Sequence, residues 1–382
     1  MHLVIDLRFY RPEPYGLAVH IGELFAELVP LLQESKKYTK ITLILDYGNK
    51  NKHLEKHLSW FESVTNGDKI EVFWSKYRYY SLGEQLGFCI DLYKLRADMV
   101  FFFTFNFPIL YFKPFIYQVL DLTIAKTSNQ KSPKTMAMML CIRQGLLRAK
   151  EILFLGYQTQ LEAQNYTKLQ FTDPNLPSYK QNTVVWNGVG RDFLNSPKMP
   201  QNEQTSGKPY FFFVSVWRKY KNLDFLVTAF ELFQKNNNFS HQLVIAGVPD
   251  AKDPKIIDCA KNSPESKNIQ IFENVSQEKL VNLYDYCEAL VFPSLSEGFG
   301  LALVEAVARG KNVICSDIKI FREIMQDGAI YFDPLIAEDI TRAMLEYSKL
   351  SLEEKNQLQI RAKNATKTFS WKNTAQLIAS RL

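Results

Sequence analysis

Hydrophobic and polar positions along the chain keep two rhythms that alternate from one end to the other. Short apolar, β-branched or aromatic runs stand at 2–8 (HLVIDLR), 41–46 (ITLILD), 69–74 (KIEVFW), 98–103 (DMVFFF), 115–121 (FIYQVLD) and 151–156 (EILFLG). Runs of this length and composition predict strands. Between them, 17–32 and 134–149 carry apolar residues three and four apart, the spacing of an amphipathic helix. The alternation returns after residue 210. Strands are predicted at 210–216, 242–247, 269–274, 289–294, 312–317 and 329–334. Helices are predicted at 222–235, 254–262, 276–287 and 301–310, with long terminal helices from about 338. Strands separated by helices imply parallel βαβ units and doubly wound sheets.

The rhythm breaks between about 157 and 210. Stretches 172–183 and 195–209 are polar and rich in Pro and Asn and read as linker. The short run Thr183-Val184-Val185-Trp186 lies between them. Two Rossmann-like α/β domains are therefore expected, at 1–175 and 176–365, with a C-terminal helix of about 366–382 packing back on the first. Ligands of open α/β sheets bind beyond the carboxyl ends of the strands, so a cleft between two such sheets is the default site.

The chain's 382 residues suffice for two domains, and 46% apolar with 23% charged residues is ordinary for a globular protein. The net charge of +6 is unevenly placed: residues 1–190 hold 22 Lys and Arg against 17 Asp and Glu. Such a mild, spread excess argues against a dedicated nucleic-acid binder. It predicts instead that the first domain meets an anionic acceptor or membrane surface, with binding that weakens as salt rises. The five cysteines are scattered singly, which argues against a disulfide framework and a Cys-based zinc site. No signal-peptide pattern precedes the first strand. The most apolar stretch, Met99–Phe112, contains Asn106 and Pro108 and falls short of the roughly 20 residues a spanning helix needs. A cytoplasmic chain, at most peripheral on the inner face of a membrane, is expected. The basic aromatic run Lys76-Tyr77-Arg78-Tyr79-Tyr80 reads as a loop packed by its own tyrosines or as a dock for anionic headgroups.

Candidate chemistry concentrates in Phe292-Pro293-Ser294-Leu295-Ser296-Glu297-Gly298-Phe299-Gly300-Leu301, with Glu305 and Ala306 beyond it. A strand ends, a glycine-bracketed turn follows, and a helix opens near Leu301. The free N–H groups of that first turn make an anion site. Gly298 and Gly300 let backbone approach a ligand closely. Glu297 and Glu305 flank the helix end, which suits a phosphate that also carries sugar hydroxyls. The cationic run Arg218-Lys219-Tyr220-Lys221, at the end of the first strand of the second domain, supplies charge for a diphosphate.

These motifs resemble the retaining family 4 glycosyltransferases of GT-B fold, two Rossmann-like domains facing across a cleft. The family's E-x7-E signature corresponds to Glu297 and Glu305, with E-G-F-G-L at 297–301. Lys221-Asn222-Leu223, Asn187-Gly188-Val189, Gly247 and Phe292-Pro293-Ser294 resemble further blocks, as do Cys315-Ser316-Asp317, Arg322-Glu323 and Phe332-Asp333-Pro334. The match in the first half is looser: Gly16, Asn106 and Asp121-Leu122-Thr123.

The resemblance implies roles by position. Glu305 binds the nucleotide ribose, Glu297 holds the donor sugar, and Lys221 with Arg218 neutralises the diphosphate. The backbone of Gly298, Phe299, Gly300 and Leu301 completes the cradle. Asn274 and Val275 border the base, and Gly16 and Asp121 belong to the donor site. No metal and no cofactor are expected, the nucleotide-sugar being a substrate. The implied reaction moves a hexosyl residue, with mannose the first guess, to a glycan or lipid-linked acceptor of a surface polysaccharide, with retention of configuration. The family often has His-Asp where this chain has Leu120-Asp121, and leucine donates no hydrogen bond. A catalytically silent nucleotide-sugar-binding partner of another transferase is therefore the alternative. A dehydrogenase is a poor reading, because the first strand leads to Pro12-Glu13-Pro14-Tyr15-Gly16 and not to G-x-G-x-x-G.

Overall fold

The computed structural model describes residues 1–10, 17–49, 69–104, 106–122, 132–200, 207–235, 240–251 and 253–382. Gly16, singled out above, lies outside the described residues. The chain forms two units, Met1–Gly188 with Ser370–Leu382, and Val189–Phe369.

The first unit holds β1 (His2–Asp6), β2 (Lys40–Asp46), β3 (Ile70–Ser75), β4 (Met99–Phe102), β5 (Phe115–Val119), β6 (Glu151–Leu155) and β7 (Asn182–Val185). All pair in parallel in the order β3-β2-β1-β4-β5-β6-β7. Every residue of β4, β5 and β6 is buried. A parallel sheet covered on both faces buries its strands on both sides, which is why these strands read as unbroken apolar runs.

The first unit runs past the expected boundary at 175. Residues 182–185 pair with β6, in register from Ile152↔Asn182 to Leu155↔Val185, so the second unit starts at Val189 and not at 176. It ends at Phe369, where the sequence suggested 365. A four-residue strand between two polar stretches has too little periodicity to announce itself. The helix Tyr157–Thr167 is also missing from the sequence reading, because its buried side chains are only Thr159, Gln160 and Ala163.

The last helix, Trp371–Arg381, packs on the helix Leu17–Glu34 of the first unit. Trp371 meets the His20 ring edge-on at 5.2 Å, and Thr374 donates to the Trp186 carbonyl. Lys37 and Tyr38 both donate to the Leu382 carbonyl. Gly188 makes this approach possible: a Cβ there would lie 2.2 Å from the Trp371 nitrogen. Gly188→Ala is expected to destabilise the first unit by about 1–3 kcal/mol through overpacking. A urea midpoint equal to that of the wild type would contradict this contact.

The second unit holds β8 (Tyr210–Trp217), β9 (Gln242–Pro249), β10 (Ile269–Glu273), β11 (Ala289–Phe292), β12 (Asn312–Ser316) and β13 (Ile330–Phe332). Their order is β10-β9-β8-β11-β12-β13, again parallel. The chain builds outward from β8 through β9 and β10, then returns to the other side of β8 with β11. That reversal opens a crevice at the carboxyl ends of β8 and β11, where a ligand of such a sheet sits. The predicted helix at 254–262 is only Asp258–Lys261.

Candidate functional site

The loops that leave β8 and β11 are tied together. After β8, Arg218 is extended and Lys219–Lys221 makes one tight turn, closed by Asn222 in the left-handed region (φ 62°). Asparagine tolerates that conformation better than most residues. Asn222 is buried, and its amide donates to the Pro334 carbonyl at 2.7 Å. After β11, the Leu295 N–H donates to the Tyr220 carbonyl at 2.9 Å. This bond holds the two loops together across the switch point.

The tie brings Lys221 and Glu297 into contact. The Lys221 ammonium donates to Glu297 Oε1 at 2.5 Å, with both side chains about one-eighth exposed (13% and 12%). The ammonium also lies 5.3 Å from the ring centroids of Tyr220 and Phe292. Two aromatic faces and a carboxylate thus hold a cation at the mouth of the crevice.

Beyond Glu297 the chain turns through Gly298, Phe299 and Gly300 into the helix Leu301–Ala308. Gly300 is the residue before the helix and has φ 116°. A Cβ on Gly300 would lie 2.9 Å from the Phe321 ring. Both the conformation and the space demand glycine. Phe299 is buried and meets Phe369 edge-on at 5.6 Å, so it contributes its backbone to the turn and its side chain to the core. The first amides of the helix carry the positive end of its dipole. The hydroxyl of Ser294, at the end of β11, is buried and unpartnered among the described residues.

Glu305 sits one turn into this helix. The fully buried Tyr284, from the helix Gln277–Tyr286, donates its hydroxyl to Glu305 Oε2 at 2.9 Å. Burial pushes the Glu305 carboxyl up to about 7, against the opposing pull of the Tyr284 hydrogen bond. Arg309 fixes the two helices by a fork on Asp285, with 2.7 Å bonds to both carboxylate oxygens. Tyr284, Asp285 and Arg309 escaped the sequence reading. Tyr284 and Asp285 lie near the end of one helix and Arg309 just follows the other, and no motif joins the two.

Other predicted residues are placed differently. Arg218 does not join Lys221: its Nε donates to Asp250 Oδ2 at 2.6 Å, at the end of β9. Asn274 ends β10 in the left-handed region (φ 51°), with its N–H donating to the Gly247 carbonyl at 2.9 Å. It is exposed, and Val275 beside it is half-buried. Both therefore lie at the same carboxyl edge as Lys221 and Glu297. Asp121 belongs to the first unit, two residues after β5. His20 is buried there, packed edge-on against Phe103 and Trp371. Burial lowers its pKa to about 4, opposed by a hydrogen bond to Asn187, so it is a neutral core residue. Among the described residues no group of three or more His, Cys, Asp or Glu is arranged to hold a metal ion.

Known proteins share this architecture and sequence. Residues 195–367 match the family described as glycosyl transferases group 1. The serotype-specific mannosyltransferase WbdA of Escherichia coli is 32% identical over 194 residues, 49% of this chain and 23% of that protein. The O-antigen chain mannosyltransferase RfbU of Salmonella typhimurium is 26% identical over 197 residues, 50% of this chain and 49% of that protein. The chain thus spans about a quarter of the first and half of the second. Among solved structures, WaaG, a glycosyltransferase involved in lipopolysaccharide biosynthesis, superposes with a TM-score of 0.72 at 12% identity over 99% of both chains. Alr3699/HepE of Anabaena, in complex with UDP and glucose, gives 0.73 at 13% identity over 100% of this chain and 99% of its own. At such identities the likeness is one of fold, and the fold is GT-B.

Proposed function

Because residues 195–367 match the group 1 glycosyltransferases, we propose that the chain moves a hexosyl residue from a nucleotide-sugar to a hydroxyl of a glycan or lipid-linked acceptor in surface polysaccharide synthesis. The Lys221–Glu297 pair at the amino end of the helix Leu301–Ala308 carries this reading. The names of WbdA and RfbU make mannose the first donor sugar to test. HepE's complex with UDP and glucose supports a nucleoside diphosphate as the carrier.

In this reading the second unit holds the donor and the first the acceptor. The diphosphate takes the helix amides and draws the Lys221 ammonium away from Glu297. Each close cation–phosphate contact has a Coulomb term of about 4 kcal/mol at an effective dielectric near 20, before desolvation. That charge, with the helix dipole, stabilises the departing diphosphate without a divalent metal. Glu297, released from the lysine, accepts hydroxyls of the donor sugar. Glu305, held by Tyr284, accepts the ribose hydroxyls, while Asn274 and Val275 border the base. Arg218 takes part only by leaving Asp250. Retention follows from a same-face displacement. The acceptor oxygen bonds the anomeric carbon as the bond to the phosphate oxygen breaks, and that oxygen takes the acceptor's proton.

Leu120 favours a second reading, a silent nucleotide-sugar-binding partner of another transferase, since leucine cannot donate a hydrogen bond to a donor sugar. One series separates the two. Uridine, guanosine and adenosine diphosphates and their sugars are screened by thermal shift, then tested for nucleoside diphosphate release. One base is expected to stabilise the chain by about 2.7 kcal/mol at a hundredfold excess over Kd. Release with one hexose donor supports the transferase; binding without release supports the silent partner. Stabilisation by none of the donors would overturn both.

A further inference from the structure

The first unit exposes an apolar surface outside the site described above. It is built from the helical stretch Glu84–Lys94, which opens as a wide π-type turn, the loop 107–113 and the helix Pro133–Arg148. Phe88, Leu92, Phe107, Tyr111, Ile142 and Leu146 enter one buried core, so the three elements form one layer on one side of the sheet. The loop is laced to its neighbours. The Ile109 N–H donates to Gln85 Oε1 at 2.8 Å, and the Phe112 N–H donates to the Tyr93 hydroxyl at 3.0 Å. Arg148 donates to the carbonyls of Ile109 and Tyr111 and lies 4.5 Å from the Phe112 ring centroid.

On the outer side of this fixed layer stand large apolar side chains. Leu82, Leu86 and Ile90 recur every fourth residue and are 82%, 57% and 54% exposed, and Phe112 is 72% exposed. Met136, Leu140 and Leu147 are exposed at helical spacing on the next helix. Large apolar side chains exposed on elements that share one core mark an interaction site.

The charges select the partner. The helix Pro133–Arg148 contains no acidic residue, and its exposed face adds Arg143 to the apolar side chains. Lys94 and Lys150 are exposed at the ends of the layer; of the acids in Glu84–Lys94, Glu84 is buried on Arg8 and Asp91 is half-buried. Basic residues around apolar ones suit a bilayer with anionic headgroups. The run Lys76–Tyr80 does not supply this surface. Its Tyr79 stacks on Phe9 at 3.5 Å and on the Arg8 guanidinium at 4.6 Å, and the Tyr77 ring fills the space over Gly87.

We propose that the outer face of this layer docks the protein on an anionic lipid bilayer. Leu86, Ile90 and Phe112 enter the boundary between headgroups and acyl chains, and Lys94, Arg143 and Lys150 lie against lipid phosphates. The inference does not depend on the transferase reading, and its test needs no substrate. The full chain is sedimented with vesicles of phosphatidylcholine alone and of phosphatidylcholine mixed with phosphatidylglycerol. Binding is expected to the mixed vesicles only, and to weaken with added salt. Phe112→Glu combined with Leu86→Glu should lower the partition coefficient at least about tenfold, and Arg143→Gln about fivefold on anionic vesicles. Melting temperatures equal to the wild type's show that the variants fold. Equal binding to both vesicle types, or wild-type binding by the folded variants, would overturn the proposal. So would a dimer in solution that Phe112→Glu dissolves, which assigns the face to a second copy of the chain.

Discussion

Replacing Glu305 by glutamine is expected to make the protein more stable and a poorer binder of its nucleotide. Desolvation in its half-buried place pushes this carboxyl up to about 7 in the fold, against an ordinary value of 4.5. A carboxyl raised by folding costs stability where the unfolded chain is ionised and the folded one is not. The cost is absent below about pH 4.5, grows as pH rises, and is complete above about 7. At about 1.4 kcal/mol per pKa unit its upper bound is near 3 kcal/mol. Glu305→Gln keeps the shape and the Tyr284 hydrogen bond without the charge. It should therefore stabilise the protein by about 1–3 kcal/mol at pH 8 and by nothing at pH 4. Urea midpoints at the two pH values read this directly, and an equal shift at both would show that the carboxyl is not strained. Ribose hydroxyls lose a charged acceptor in the same variant, a loss of about 10–100-fold in affinity. The wild type should lose nucleotide affinity as pH falls below about 7, because the protonated carboxyl is a weaker acceptor. A wild-type affinity independent of pH between 5 and 8 would remove Glu305 from the nucleotide site.

Lys221→Ala is expected to slow nucleoside diphosphate release by about 10²–10³-fold, the usual loss when one preorganised group that meets developing charge is deleted. The loss should fall mainly on kcat, because the charge on the departing diphosphate grows toward the transition state. Lys221→Ala also leaves the Glu297 carboxylate without its cation in a largely buried place. The double variant Lys221→Ala/Glu297→Gln should recover the stability lost in the single variant and none of the rate. Lys221→Arg should recover part of the rate, since the charge is kept while the geometry changes. Release within a few-fold of wild type in Lys221→Ala would mean that the lysine serves the loop and not the leaving group.

Much of this architecture could be read from the sequence, for a physical reason. Strands buried on both faces leave unbroken apolar runs, and β1, β2, β4, β5, β6, β8, β9, β11 and β12 stand within two residues of their predicted ends. What stayed hidden depends on neighbours that a one-dimensional pattern does not carry. β7 is a strand because β6 pairs with it. The helical stretch Glu84–Lys94, which begins amid Gly83 and Gly87, has no counterpart among the predicted elements. In the site, the turn into the helix at Gly300 follows from local sequence, whereas the partnership of Lys221 with Glu297 joins residues 76 positions apart. The pairing of Arg218 with Asp250 and of Tyr284 with Glu305 joins residues 32 and 21 positions apart. Those contacts exist only once the sheet has set the loops side by side.

The return of Trp371–Arg381 to the first unit bears on how the chain comes to be folded. The second unit is one unbroken segment, Val189–Phe369, whereas the first is completed by Ser370–Leu382. During synthesis from the amino end, residues 1–188 must wait for residues 370–382. His20 and the helix around it keep an uncovered apolar flank until Trp371 arrives. The later-made unit can close on its own while the earlier one is still open. Completion of the first unit therefore comes after synthesis of the second, and the earlier segment is the one exposed to chaperones and proteases meanwhile.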